Sequence, residues 1–210
     1  MKRIQKQRKV RDTILIITNG KKTEKNYFEN LTSSFFGMFK IKVEYKNEQP
    51  DDLVKYAKNL DLTLYNQIWC VFDIDDTFTE GHLINALNYA KKGNINVAYS
   101  NEAFEVWLLC HLTKSISPGL SRKTYIKEIN KILESKRLAK YQKNDLDLLK
   151  IVFIPNALQA SEVAKKIYQR FEADYQREYK GNKNYPIWNW KSTTTVYQLI
   201  EALQLRPKCE

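Results

Sequence analysis

The chain has 210 residues, of which 43% are hydrophobic and 12% aromatic, enough for a sizeable buried core. No apolar stretch approaches the roughly 20 residues that cross a bilayer, and the N-terminus lacks a signal-peptide pattern, so we expect a cytoplasmic protein without membrane contact. Lys and Arg total 35 against 24 Asp and Glu, a formal charge of +11 that predicts an acidic polymer, nucleic acid, as the partner.

A basic N-terminal arm is predicted at residues 1–12, because six of the first eleven residues are Lys or Arg and none is acidic. Such an arm either contacts phosphates or is simply solvated. Strand and helix patterns alternate over residues 13–114, whereas helical patterns dominate residues 115–210. We therefore predict an α/β core at 13–114 and a mainly helical region, packed on that core, at 115–210.

The core has four strand–helix steps, read from alternating or β-branched apolar runs and from helical spacing. The predicted strands are 13–18, 41–46, 67–73 and 95–100, and the predicted helices are 23–31, 50–60, 82–91 and 101–112. Strands that alternate with helices imply a mainly parallel sheet flanked by helices. The fold class is therefore α/β.

Helical spacing continues in the C-terminal half at 121–135, at about 156–179 and at 192–204. Ser192, Thr193 and Thr194 are candidate N-caps of the last of these helices. Residues 150–154 fit either a further strand or the end of a helix.

The segment QIWCVFDIDD, residues 67–76, ends an apolar strand in three acids, Asp73, Asp75 and Asp76. Asp73 and Asp75 are two residues apart and therefore point the same way from an extended strand. Buried carboxylates are costly unless a cation meets them, and strand ends are where α/β sheets bind ligands. The segment thus predicts a divalent metal site. The alternative is an acidic loop that caps the next helix.

The acidic strand end and three further segments carry a resemblance to a known family. The four segments are TNGKKTEKNYF (18–28), WCVFDIDD (69–76), YSNEAFEVWLLCHL (99–112) and NWKSTTTVYQLIEAL (189–203). Together they resemble the RloB-like family, a prokaryotic anti-phage defence family related to the Toprim-type metal-dependent nucleases. The resemblance spans most of residues 12–205. SNEAFEVWLLCH is its most specific part, because amphipathicity does not dictate the order of those residues.

The resemblance implies a Toprim-like sheet in which acids after the first and third strands hold Mg²⁺ or Mn²⁺ for cleavage of DNA or RNA. Asp73 and Asp75 match the family's Asp-x-Asp, and Asp76 either contacts the metal through water or caps a helix. The family pattern after the first strand is EGxxTE, whereas this chain has NGKKTE, so Asn19 replaces the leading Glu. An amide oxygen binds a hard cation but cannot ionise. The family association also implies a partner ATPase.

The missing acid has two candidate replacements. One is Glu24, which lies one turn into the first helix. The other is Glu105 or Glu102, which lie three residues apart on one face of the predicted helix at 101–112. We favour Glu105, because it lies inside the most family-like segment. Acids in the first turn of a helix also complement its dipole without any catalytic role.

Three basic or titratable residues are candidate substrate contacts. Lys21 and Lys22 lie in the turn after the first strand, where they could meet substrate phosphates. His111 follows Glu105 in the same predicted helix, although a lone helical histidine more often packs than binds.

Two other functions are consistent with the same residues. FDIDDT, residues 72–77, fits the Asp-x-Asp-x-Thr signature of haloacid-dehalogenase-like phosphatases, with Asp73 as nucleophile and Asp75 as acid or base. That signature normally follows the first strand of its fold, whereas two strand–helix units precede it here. The other alternative is a Toprim-like domain that lost catalysis with its leading Glu and binds nucleic acid or a partner protein.

Overall fold

A computed structural model describes residues 12–31, 39–75, 80–178 and 189–204. The strands are β1 (Asp12–Thr18), β2 (Phe39–Tyr45), β3 (Gln67–Ile74), β4 (Asn96–Asn101) and β5 (Thr193–Thr194). The helices are α1 (Thr23–Leu31), α2 (Pro50–Lys58), α3 (Glu80–Gly93), α4 (Glu105–Cys110), α5 (Arg122–Ser135), α6 (Leu146–Leu148), α7 (Ala157–Glu178) and α8 (Val196–Gln204).

The five strands form one sheet in the order β2-β1-β3-β4-β5. β1 pairs in parallel with β2 and β3, β3 pairs in parallel with β4, and only β5 runs antiparallel to its neighbour. This arrangement confirms the predicted α/β fold with its mainly parallel sheet and helical C-terminal half. Ile14 to Ile17 of β1 are all fully buried, because helices cover both faces of the sheet.

Alternate residues of the strands enter two different apolar cores. Trp69 and Val71 of β3 join the larger core, which includes α1, α4, α5, α7 and α8. Phe72 and Ile74 join the smaller core, which includes α2 and α3. Asp73 continues the alternation of Trp69 and Val71, so its carboxylate faces the side of the sheet covered by α1, α4 and α5.

The predicted helix at 101–112 is too long at its N-terminal end. β4 continues to Asn101, because Ser100 and Asn101 pair with Thr194 and Thr193 of β5, and α4 begins only at Glu105. Glu102 therefore precedes the helix instead of sharing a helical face with Glu105.

The predicted helix at 192–204 also starts later than expected, because Thr193 and Thr194 form the short strand β5 and α8 begins at Val196. The hydroxyl of Thr194 nevertheless accepts a hydrogen bond from the Val196 N–H, at 3.2 Å, as an N-cap would. The ambiguous stretch at 150–154 is helical, in a π-helical turn, Leu149–Phe153, and the 3-10 turn that follows it, Ile154–Asn156.

The C-terminal half packs on the α/β core through the larger apolar core, which contains residues from Ile14 to Leu203. β5, from the same half, adds the edge strand next to β4. The basic residues of the predicted arm lie outside the described residues. Within the described part of the chain, no helix is long and apolar enough to cross a membrane.

Candidate active site

A cavity of about 560 Å³ opens at the carboxyl ends of β1, β2 and β3. Ligands of open α/β sheets bind at this edge, outside the carboxyl ends of the strands. The cavity is lined by the loops after β1 and β2, by the end of β3 and by two cations from the C-terminal half. The lining residues are Asn19, Gly20, Lys21, Lys22, Thr23, Glu24, Asn47, Glu48, Gln49, Pro50, Asp52, Asp73, Asp75, Arg122 and Lys143.

The turn after β1 makes room for the carboxylate of Glu24. The Asn19 N–H donates to the Val71 carbonyl at 3.1 Å, and the Thr18 hydroxyl donates to the Gly20 carbonyl at 3.0 Å, so the turn is tied to the sheet. A Cβ atom at Gly20 would collide with the Glu24 carboxylate. The absence of a side chain at position 20 therefore allows this acid to fold back against the turn, where it is buried.

Three of the carboxylates form a mutually repelling cluster. Burial raises the pKa of Asp73 well above its ordinary value, and the charges of Glu24 and Glu105 raise it further. Burial also raises the pKa of Glu24, with a further contribution from Glu105. Asp75 adds a smaller repulsion at Asp73. Glu24, Glu105 and Asp75 therefore all lie within electrostatic range of Asp73, and the site disfavours the charged forms of Asp73 and Glu24.

Two cations from the C-terminal half offset part of this negative charge. Arg122, the first residue of α5, places Nη2 at 3.4 Å from Asp73 Oδ2 and Nε at 3.6 Å from Glu105 Oε2. Lys143 places Nζ at 3.6 Å from Glu105 Oε1. Arg122 thus bridges the acid of β3 and the acid of α4.

Glu105 is the most buried acid of the cluster, with a side chain 2% exposed. Its Oε1 accepts a hydrogen bond from the Tyr141 hydroxyl at 3.4 Å, and Tyr141 in turn contacts the Thr23 hydroxyl at 3.3 Å. Within the described residues, neither Glu105 Oε2 nor Arg122 Nε has a hydrogen-bond partner. A buried carboxylate oxygen without a hydrogen bond carries a desolvation cost, which the ion pair with Arg122 offsets in part.

Six of the predicted site residues line this one cavity: Asn19, Lys21, Lys22, Glu24, Asp73 and Asp75. Lys21 and Lys22 are exposed. Glu105 lies beside the cavity, joined to it through Arg122 and Lys143. Asp76 lies outside the described residues.

His111 is placed away from the cavity. Its side chain packs among aromatic rings, and the whole residue is 3% exposed. One ring nitrogen lies 3.0 Å from the Tyr27 hydroxyl and the other 2.8 Å from the Trp107 carbonyl. Burial lowers the pKa of His111 to about 3. Its position corresponds to the packed histidine of the sequence analysis and not to a substrate contact.

Glu102 is likewise not part of the acid cluster. Its Oε1 is ion-paired with Lys191, and its Oε2 accepts the backbone N–H of Arg122 at 3.0 Å. Burial alone would raise the pKa of Glu102, but Lys191 and the Arg122 N–H lower it overall. The residue therefore anchors the start of α5 and so positions Arg122.

Sequence reasoning did not find Arg122 or Lys143. Arg122 is 49 residues from Asp73 along the chain, and no local spacing links the two. The one sequence feature that marks this region is its density of basic residues, since residues 122–143 include eight Lys and Arg.

A family model described as RloB-like protein matches residues 14–203 of the chain. The chain belongs to the RloB-like family. Every residue that lines the cavity lies within the matched range. No curated protein and no solved structure matches this RloB-like chain.

The donor set at the cavity suits a hard divalent cation such as Mg²⁺ or Mn²⁺, which prefers carboxylate and amide oxygens. Asp73, Asp75, Glu24 and Glu105 supply carboxylates, and their charge exceeds that of the two bridging cations. Among residues 12–31, 39–75, 80–178 and 189–204, no group of three or more His, Cys, Asp or Glu is arranged to hold a metal ion. The chemistry of the residues fits a cation, but here Arg122 occupies the bridge between two of the acids.

Proposed function

We propose that this RloB-like chain is a metal-dependent nuclease with a Toprim-like fold, which cleaves phosphodiester bonds of DNA or RNA. One observation carries the proposal: among the described residues, Glu24, Asp73 and Asp75 line one cavity with Glu105 beside it, and the ion pairs of this cluster come from two cations, Arg122 and Lys143. Burial and repulsion between the acids raise the pKa of Asp73 and of Glu24, and both effects support the binding of a cation beside these two residues. A cation bound by these acids would relieve both burial and repulsion.

Asp73 and Asp75 are the proposed metal ligands, together with the amide oxygen of Asn19 and the carboxylate of Glu24, which line the same cavity. When bound, Mg²⁺ or Mn²⁺ supplies charge neutralisation for the scissile phosphate and lowers the pKa of a coordinated water. Glu105 supplies the acid that position 19 lacks. Asp76 is a further ligand in this proposal, through water.

The basic residues have separate roles in the proposal. Lys21 and Lys22 hold substrate phosphates at the exposed side of the cavity. A cation at Asp73 would compete with Arg122 for the same carboxylate, and Arg122, released from Asp73, would be available to hold a substrate phosphate. Its five N–H donors suit a phosphate, which accepts two of them at once.

A second candidate function is nucleic-acid or partner binding without cleavage. Asn19 cannot ionise, and the guanidinium of Arg122 already lies between Asp73 and Glu105. A site neutralised in this way holds phosphates through Arg122, Lys143, Lys21 and Lys22 without any metal. This alternative differs from the first in needing no divalent cation.

Biological context is proposed from the family alone. RloB-like proteins are associated with prokaryotic anti-phage and abortive-infection defence, often beside an ATPase. We accordingly propose a cytoplasmic defence protein that works with a partner ATPase.

The test incubates purified protein with labelled single-stranded DNA, duplex DNA and RNA, in Mg²⁺, Mn²⁺ or EDTA. Asp73→Asn removes the central ligand, and Asp147→Asn is the matched control because Asp147 is exposed on α6. Cleavage that requires metal, disappears in Asp73→Asn and persists in Asp147→Asn supports the nuclease. Metal-independent binding without cleavage supports the second candidate.

The phosphatase alternative is decided in the same series with a generic phosphomonoester. Asp145 accepts the Leu148 N–H at 2.8 Å and so caps α6, which leaves it a structural role. Hydrolysis of the monoester, lost in Asp73→Asn and with nucleic acids left intact, would replace the nuclease proposal with the phosphatase.

A further inference from the structure

The positive charge of the chain is concentrated in two stretches. Residues 1–11 hold six Lys and Arg and no acid, and residues 122–143 hold eight Lys and Arg and only two acids, Glu128 and Glu134. All other residues together hold 21 Lys and Arg against 22 Asp and Glu. The stretch 122–143 is therefore the source of net positive charge among the described residues.

α5 presents this charge on one face. Tyr125, Ile129 and Leu133 are fully buried and hold the helix against the core. Lys123, Lys127 and Lys131 are exposed and follow one another at intervals of four residues. At 1.5 Å per residue, successive lysines lie about 6 Å apart and form a row of about 12 Å along the helix. Four more basic residues after α5 are exposed as well: Lys136, Arg137, Lys140 and Lys143.

Both ends of the basic stretch meet the candidate active site. Arg122, at its start, contacts Asp73 and Glu105, and Lys143, at its end, contacts Glu105 from the other side. The Lys143 carbonyl also accepts the Thr23 hydroxyl at 3.1 Å, which fixes the end of the stretch against α1. The two ends of the basic stretch are therefore fixed at the candidate active site.

We propose that the exposed face of α5 with the turn after it, residues 123–143, forms a phosphate track along which the backbone of a nucleic acid lies. The substrate class rests on the proposed nuclease function, but binding to the track does not require cleavage. A row of ammonium groups neutralises successive phosphates without reading bases, so the track binds without sequence preference.

The experiment compares two triple variants by fluorescence anisotropy in EDTA, where nothing is cleaved. One is Lys123→Gln, Lys127→Gln, Lys131→Gln on the track. The control removes the same charge from α2 and α3, which cover the opposite face of the sheet: Lys58→Gln, Lys91→Gln, Lys92→Gln. The probes are a labelled DNA duplex and a labelled single strand of unrelated sequence, and circular dichroism checks that both variants fold.

The track variant is expected to lose affinity by between about tenfold and a hundredfold at physiological salt, whereas the control stays near wild type. The slope of log affinity against log salt should fall by up to about 2.7 for duplex, or about 2.1 for a single strand, because each lost phosphate contact removes 0.9 or 0.7. Equal losses of affinity in the two variants would contradict the proposed track. So would a salt slope of the track variant that equals the slope of wild type. If the wild-type protein binds nucleic acid but never cleaves it, the nuclease proposal fails. The comparison of affinities in EDTA still tests the track, because it does not depend on cleavage.

Discussion

Glu105→Gln tests the carboxylate cluster most directly, because it removes one charge and keeps the size of the side chain. Glu105 is almost fully buried, and its Oε2 has no hydrogen-bond partner among the described residues. Its charge also contributes to the raised pKa of Asp73 and Glu24. The cluster without metal should therefore be more stable when this charge is absent.

The magnitude follows from the contacts that Glu105 makes. Its cationic partners, Arg122 and Lys143, lie at 3.6 Å and are 39% and 50% exposed, so each pair contributes at most about 1 kcal/mol. Burying the charged Glu105 carboxylate, whose Oε2 accepts no hydrogen bond among the described residues, costs about 3 kcal/mol or more. The difference predicts a rise of about 1 kcal/mol in the free energy of unfolding without metal. For a chain of this length, Tm should rise by about 2–4 °C.

The assay is urea and thermal unfolding, followed by circular dichroism, in EDTA and in Mn²⁺. Wild type should gain about 2.7 kcal/mol when Mn²⁺ is present at a hundred times its Kd, and Glu105→Gln should lose most of that gain. Glu134→Gln on the exposed surface of α5 is the control and should change stability by less than about 0.5 kcal/mol. A Glu105→Gln variant that is less stable than wild type in EDTA would contradict this prediction, because the ion pairs of Glu105 would then outweigh its desolvation cost.

Three further predictions concern the protonation of Asp73 and Glu24, the room that Gly20 leaves for the Glu24 carboxylate, and the burial of His111. The pKa of Asp73 and of Glu24 is raised above 3.8 and 4.5, so the folded state keeps protons that the unfolded chain releases. The contribution of these two groups to stability in EDTA should therefore fall as pH rises through the raised values. In urea titrations, Asp73→Asn should lose less stability than wild type over that pH range; an equal loss in both proteins would contradict this. Gly20→Ala should displace the Glu24 carboxylate and weaken Mn²⁺ binding at least tenfold by calorimetry, whereas Gly81→Ala, with no atom within 4 Å of the new Cβ, should leave it unchanged. His111, with its pKa lowered to about 3, should show no imidazole titration between pH 5 and 8 by NMR; a titration there would mean that the ring reaches solvent.

The parallel strands were predictable because their signal is local. β1 and β3 are continuous apolar runs, as buried parallel strands require, and their predicted bounds differ from the structure by one residue at one end. β5 carried no such signal, because two threonines are too few to show a period. Their pairing with Ser100 and Asn101 depends on a partner more than 90 residues away.

The acids of the site were predictable for a similar reason, since strand ends and helix starts place them by local sequence. Asp73 and Glu24 each lie beside a strand that the apolar pattern revealed. The cations that meet them come from the C-terminal half, and their positions depend on how α5 packs. Tyr125, Ile129 and Leu133 fix that packing, and none of them identifies Arg122 as a site residue.

Asn19 and Arg122 act on the same charge balance from opposite sides. Asn19 removes a carboxylate from the turn after β1, and Arg122 adds a cation between Asp73 and Glu105. A Glu at position 19 would add a fifth acid where burial and repulsion already raise the pKa of Asp73 and Glu24. The cluster is therefore better balanced without metal than the family pattern would make it. A divalent cation at Asp73 would compete with Arg122 for the same carboxylate, so in the proposed function both residues would lower the affinity of the site for metal.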